Sequence, residues 1–536
     1  MSICVYLWLI LLSACATKPT DMRTLVPAET LVYLETNDLA AALQPIVDSK
    51  PFAEVAKSKP DLTALKGVQV AVAVTGFETS EEKVNDEQSI GKVRPRFVAV
   101  ADTHAWDYQA VKFAETRLNS FVQEMLGGGT KMGRSQRSQQ TGGTYITWTA
   151  TDGRLAHALI LDAVIYFAND ETAIDKCLAV KRGEADSILK TGKIQPAEPG
   201  TLARGYVSTN GVAQIAALAS LYFASRASDE GEVQSAVADI LPRLIRGTVT
   251  DIAWSTSQTS EGIDDKWQVR MPAEVAAVFE ETFAIGEEIG IHSVLNNMLI
   301  AQLPSNPQSA TRYNLNKPEL AWRSVLLVAQ KQLDPLEGKV LLEVGNVLLE
   351  PYGIRDPELF LSSIGGKHTP SKNIVTARLD PDNEETVVMT VAGTTAQATV
   401  QSLSPDLKPP EPIIEGNVNI WSTVDNEIQV AFDDCIKIGS KENLARLNGS
   451  RDGQLSDIRS DTLRKLATSR APITTVGHDN VLALQLVTIL AREGHGDTQA
   501  VSTYLTETRF TKTGIERKTT SDFGFIGQII AQIAQD

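Results

Sequence analysis

One long order of elements occurs twice in this chain, and that limits its fold more than any single motif does. The segment YITWTATDGRLAHALILDAVIYFANDETAI from Tyr145 parallels NIWSTVDNEIQVAFDDCIKIGSKENLA from Asn419. Each reads as a strand holding a tryptophan, Trp148 or Trp421, followed by a turn at Asp152-Gly153 or Asp425-Asn426. An alternating strand comes next, ending at Asp162 or Asp433, and a helix opens near Glu171 or Glu442. Asp-Gly between β-rich runs is a strong hairpin signal, because tight hairpin turns need residues that tolerate positive φ. Downstream, YVSTNGVAQIAAL from Tyr206 parallels TVGHDNVLALQLV from Thr475, each a strand, a polar helix cap and an apolar helix. The hairpins DIAWSTSQTSEGIDDKWQVRM and ETRFTKTGIERKTTSDFG then place Gly262 and Gly514 at their turns. Upstream, LVYLETNDLAAAL from Leu31 resembles TRYNLNKPELAWRSV from Thr311. A strand, cap and helix are common singly, but their shared order predicts a duplication. The copies are expected at 26–285 and 308–536, with a junction at 286–307.

The period of the apolar residues sets the fold class. Leu155, His157, Leu159 and Leu161 alternate with their neighbours, as in a sheet with one face covered and the other wet or lightly covered. In AVKFAETRLNSFVQEML, Val111, Phe113, Ala114, Leu118, Phe121 and Leu126 recur at helical spacing and are expected on one side. Hairpins mixed with such helices predict an α+β fold, with largely antiparallel sheets backed by helices. At 43 % apolar residues the 536-residue chain can bury a substantial core. Its net charge of −16 repels nucleic-acid phosphates, so no nucleic-acid partner is expected.

The N-terminus predicts the compartment. The apolar run Val5 to Leu12 is too short for the roughly 20 residues a membrane span needs, and matches a signal-peptide core instead. It leads into Leu12-Ser13-Ala14-Cys15. This tetrad resembles the lipobox of bacterial lipoproteins, an aliphatic residue and two small ones before a cysteine. The resemblance implies a signal peptide over 1–14, cleavage after Ala14 and lipidation of the Cys15 sulfur. Ala16 in place of Asp implies sorting to the outer membrane, facing the periplasm, in a cell that has one. The polar stretch ATKPTDMRT then reads as part of a lipidated tether over 15–25. Two further segments, VPAETLVYLETNDLAAAL and PYGIRDPELFLSSIGG, resemble exported bacterial proteins of unknown function, with Glu29 where Asp is usual and Arg355 interrupting a Gly-Ile-Asp step. That resemblance implies a fold and export, and no chemistry.

Beyond Cys4 and Cys15 the chain has only Cys177 and Cys435, both in apolar settings. They are expected as two separate buried thiols, with a single long-range bridge as the alternative. The loop LGGGTKMGR follows a helix, so its glycines are expected to cap and turn rather than to hold an anion. The six histidines show no metal-binding spacing; His157 is expected as a satisfied sheet residue, and His495 in a helix-ending loop. No nucleophile-elbow motif occurs. No cofactor and no metal are predicted. Four residues at equivalent positions remain as candidate ligand contacts: Trp148 and Trp421 for a sugar or apolar ligand, Asp162 and Asp433 for a cation or shared proton, each set against core packing or a strand end. The expectation is a lipid-anchored cell-envelope protein with a binding or scaffolding role, acting on an envelope partner or a small apolar ligand. An envelope hydrolase with a spatially assembled site is the alternative.

Overall fold

The computed structural model describes residues 20–533 except 84–88, 128, 139–140, 228–230, 286–296, 336, 340, 342–348, 350–353, 365–371, 381–384, 392–401, 403–406, 417, 424–427, 433–434, 448–457, 459 and 492–499. These residues form two compact units. The first comprises 20–45, 60–211 and 532–533; the second comprises Ile46–Lys59 and Val212–Ala531. The fold is α+β, and every strand pair described below is antiparallel.

In the first unit the strands are β1 (Val32–Thr36), β2 (Gln69–Lys83), β3 (Ser89–Asp102), β4 (Lys131–Met132), β5 (Gln136–Arg137), β6 (Thr144–Thr149), β7 (Leu155–Leu161), β8 (Val164–Ala168) and β9 (Thr201–Val207). They lie in the order β9-β1-β2-β3-β8-β7-β6, with β4 and β5 both on β6. Alternation along β2 and β3 sends Ala71, Ala73, Val98 and Val100 to one face, where they pack with Tyr33, Tyr166 and the helix Glu171–Lys181. Small alanines let that helix approach the sheet closely. Asp170 caps it, accepting a hydrogen bond from the Thr172 amide.

The opposite face is covered as well, more fully than the wet or lightly covered face that alternation predicts. Ile146, Trp148, Ala156, Ala158 and Ile160 form a second cluster with residues of the helical segment 107–126. His157 and Leu159 are also buried, so β7 is closed on both sides. The covering helical segment includes a π-helical turn at Ala114–Leu118. Its buried positions are Ala110, Ala114 and Val122, at multiples of four residues, while Phe113 and Phe121 emerge into solvent. The helical stripe predicted above therefore holds for Ala114, with Val111, Leu118 and Leu126 half-buried against the same cluster, and fails for the two phenylalanines. Residues at every fourth position stay aligned where the helix is wound more loosely than 3.6 residues per turn.

In the second unit the strands are β10 (Asp251–Thr259), β11 (Gly262–Arg270), β12 (Ser309–Leu315), β13 (Lys372–Arg378), β14 (Thr386–Val391), β15 (Leu407–Glu415), β16 (Val418–Thr423), β17 (Gln429–Phe432), β18 (Cys435–Gly439), β19 (Ile473–Asp479), β20 (Ser502–Thr511) and β21 (Gly514–Ser521). Their order is β10-β11-β21-β20-β19-β12-β13-β14-β18-β17-β16-β15. Both faces are again buried. Val375, Ala377, Val387 and Met389 pack with Leu299, Ile300 and Leu466, and their strand neighbours Ile374 and Val388 pack with Phe360 and Ile436. Residues 297–303, expected as junction, belong to this core through Leu299, Ile300 and Leu303.

Gly262 and Gly514 both turn their hairpins at positive φ. They also meet the other hairpin's backbone: a Cβ at Gly262 would strike the Ser521 carbonyl, and one at Gly514 the Val269 carbonyl. The contacts are reciprocal because β11 and β21 pair end to end, Ile263 opposite Ser521 and Arg270 opposite Gly514. The compact units divide the chain near 211, whereas the expected duplication would divide it at 286–307.

Candidate functional site

The fold begins much closer to Cys15 than a tether over 15–25 would allow. Thr20 donates its amide to Gln69 Oε1 at 2.8 Å and its hydroxyl to Asp102 Oδ2 at 2.6 Å. Gln69 Nε2 returns a bond to the Thr20 carbonyl at 2.9 Å. Gln69 and Asp102 are buried at the start of β2 and the end of β3, where adjacent strands bring them side by side. His104 completes the clamp: its Nε2 lies 3.0 Å from Gln69 Oε1, and its amide donates to Asp102 Oδ1 at 3.0 Å. Asp21 then caps the short turn Met22–Thr24, and Met22 and Val26 enter the core. In ATKPTDMRT, Met22 is the one large apolar residue, and its burial draws the second half of the stretch into the body.

A polar hub lies beside this entry. Arg23 holds Asp21 through Nη2 at 2.7 Å and donates Nη1 to the Ile194 carbonyl at 2.7 Å. The Arg23 hydrogen bond keeps the Asp21 carboxyl below its ordinary range. On β1, buried Glu35 accepts from Tyr33 and pairs with Arg204 of β9. Burial, reinforced by the Glu35 charge, pushes the Tyr33 phenol far above its ordinary value.

The second unit carries a notch of about 250 Å³ at the turn end of β10–β11, against β20 and β21. Glu261, Asp264, Glu507, Lys518, Thr520 and Leu505 shape its wall. Asp264 accepts from Thr520 Oγ1 at 2.6 Å and pairs with Lys518 Nζ at 2.9 Å. Glu261 pairs with Lys465 at 2.9 Å, which lowers its pKa. Glu507 accepts from Ser469 Oγ at 2.5 Å, with Arg509 at 3.5 Å. Every carboxylate in the wall thus has a cationic partner. The notch offers hydrogen-bond acceptors and one ammonium to a small polar molecule. Among the described residues no group of three or more His, Cys, Asp or Glu is placed to hold a metal ion.

Asp265 follows Asp264 on β11 and so faces the other side of the sheet. It accepts from Trp254 Nε1 at 2.9 Å and from the Phe525 amide at 2.7 Å, at the first turn of the helix Gly524–Ile533. Trp254, Trp267 and Phe525 enclose it, with the Phe525 ring edge-on to both indoles at centroid separations of 5.1 and 4.7 Å. Burial raises its pKa to about 6 even though both N–H donors favour the charged form. The Asp264-Asp265 pair is not among the residues expected above, although adjacent acids within an alternating strand must face opposite ways and are a readable signal.

Three of the four candidate ligand contacts, Trp148, Asp162 and Trp421, lie among the described residues. Trp148 is completely buried, packs in the core beneath the helical segment and donates Nε1 to Asn119 Oδ1 at 2.8 Å. Asp162 sits in the turn between β7 and β8 at φ 60°, exposed to solvent and 3.1 Å from Lys181 Nζ. Trp421 packs in a core cluster edge-on to Phe432. Asp433, Cys15 and His495 lie outside the described residues. His157 is a sheet residue whose Nδ1 lies 2.8 Å from the Tyr145 hydroxyl, and burial lowers its pKa. Gly127 ends its helix at φ 97°, and the Thr130 amide turns back onto its carbonyl. Cys177 and Cys435 are buried in different clusters and form no disulfide with each other, and burial pushes the Cys177 thiol up to about 12.

No family model matches the chain, and no curated protein sequence matches it. A solved structure described as crystal form I of TP0453 is similar at 9% identity, over 44% of this chain and 98% of its own, with a TM-score of 0.20. So low a score carries no argument about this protein.

Proposed function

We propose that this chain is a lipid-anchored protein of the cell envelope, which binds or scaffolds while held close to a bilayer. The observation that carries the proposal is the clamp on Thr20. Cys15 completes a lipobox, and five residues later the backbone is locked to Gln69 and Asp102. Five residues span at most about 17 Å. A lipid on Cys15 would therefore hold the first unit against the membrane surface rather than on a long leash. The polar notch at Asp264 and Lys518 is the proposed ligand contact of the second unit.

The proposal includes a duplicated body. Its support is the same neighbour order in two segments: β1-β2-β3-β8-β7-β6 in one, and β12-β13-β14-β18-β17-β16 in the other. Trp148 lies on the sixth strand of the first series and Trp421 on the sixth of the second. The reciprocal glycine contacts between the β10–β11 and β20–β21 hairpins add a second correspondence.

The test of the anchor is Cys15→Ser, expressed with its own leader in a bacterium that processes lipoproteins. The substituted protein is expected to leave the membrane pellet for the soluble fraction, while the natural chain stays. Equal membrane association of both would end the proposal.

A further inference from the structure

Of the Trp, Tyr and Phe side chains whose burial is described, those exposed to solvent lie in one stretch, 106–121. Trp106 is 74% exposed and Tyr108 69%, with Phe113 and Phe121 at 38% and 41%. The other aromatic rings whose burial is described are buried or half-buried, so this concentration calls for a reason. Isolated exposed apolar residues are ordinary, but grouped aromatics mark contact surfaces.

The position of the stretch identifies what it touches. His104 and the Thr20 amide share one acceptor, Gln69 Oε1, and Trp106 follows His104 by two residues, at most about 7 Å of backbone. The two aromatic side chains with the greatest exposure therefore leave the body beside the point where the chain from Cys15 enters it. The display is backbone-fixed: the Trp106 amide donates to Gln109 Oε1 at 3.1 Å, and the Trp106 carbonyl accepts from the Gln109 and Ala110 amides at 2.8 and 3.0 Å. Tryptophan and tyrosine are the residues enriched at membrane–water interfaces, where an apolar ring with one polar atom spans the headgroup boundary.

We infer that Trp106 and Tyr108 form a membrane-contact patch that enters the headgroup layer of the bilayer holding Cys15. The inference rests on the lipid-anchor reading and adds to it an oriented body, with the start of segment 107–126 facing the membrane. The charges along the segment are two cations, Lys112 and Arg117, against three anions, Asp107, Glu115 and Glu124. Electrostatic attraction to anionic lipid is therefore not the driving force, and the contact is expected to be insensitive to salt.

The test uses the mature protein purified from membranes and reconstituted in vesicles of phosphatidylethanolamine and phosphatidylglycerol with brominated acyl chains, which quench nearby indoles. The state of Cys15 is read by mass spectrometry on the same sample. With Cys15 acylated, part of the tryptophan emission is expected to be quenched at both low and high salt. Trp106→Ser is expected to lose that quenched fraction, and Tyr108→Ser to reduce it. Both residues are exposed, so circular dichroism should show both variants folded. An acylated protein whose quenching is unchanged by Trp106→Ser overturns the patch and leaves the anchor standing. A protein with no acyl group on Cys15 overturns the anchor and the patch together. Quenching that depends on Trp106 but vanishes at high salt overturns the insertion mechanism.

Discussion

Trp148 and Trp421 occupy matching places in two strand–turn–strand–helix segments, yet the molecule treats them differently. Trp148 is sealed beneath the segment 107–126, and its N–H is satisfied by Asn119. Trp421 is also buried, but its N–H has no partner among the described residues. An indole contributes a large apolar area and one donor, and a buried donor without a partner costs free energy. Two tryptophans on similarly paired strands need not share a polar interaction. Packing is what the two places share. The polar handle is tied down only where a helix residue reaches it.

The same contrast appears in the buried acids, and there the expected effect is largest. Glu35 in the first unit pairs with Arg204, whereas Asp265 in the second accepts from the Trp254 and Phe525 N–H groups. Its folded pKa of about 6 lies above the ordinary carboxyl value, so its contribution is fully present at low pH and is lost as pH rises through 6. The difference from the ordinary carboxyl value of 3.8 corresponds to about 3 kcal/mol. His157 in the first unit has the opposite sign. Burial lowers its pKa, so its contribution is present above the ordinary histidine value and is lost as pH falls through the lower, folded one. Acidification from pH 7 towards 4 should therefore strengthen the strands around Trp254 and weaken those around Trp148. Hydrogen exchange resolved by peptide reads both. Asp265→Asn should abolish the first trend by about 3 kcal/mol while leaving the second. Parallel trends in both units would break the contrast.

Smaller effects sharpen the tryptophan comparison itself. Trp148→Phe removes the N–H bond to Asn119 and opens a small void, and should cost about 2 kcal/mol in urea unfolding. Trp421→Phe loses similar volume but also removes a buried donor that has no partner among the described residues, so the net change should stay below about 1 kcal/mol. Equal costs at the two positions would show that the missing partner at Trp421 has no energetic meaning.

Local patterns made much of this architecture legible. The tryptophan strands, the hairpins turning at Gly262 and Gly514, and the antiparallel α+β class follow from alternation and turn chemistry, which act over a few residues. The covering of both sheet faces did not follow, because β7 mixes small alanines with larger residues and its neighbours decide what packs on it. The end of the tether was hidden for the same reason: Thr20 finds its partners 49 and 82 residues away. The notch depends on Asp264 meeting Thr520, a pairing across 256 residues. Neither residue looks unusual in its own segment, so only the fold could bring them together.

The central claim is that a lipid on one sulfur holds a body that begins five residues later. Mass spectrometry of the N-terminal peptide, taken from membranes of a bacterium expressing the full chain, tests it most directly. The account predicts a mature chain that starts at Cys15 and carries acyl groups. A chain that begins upstream of Cys15, with that thiol unmodified, would contradict it.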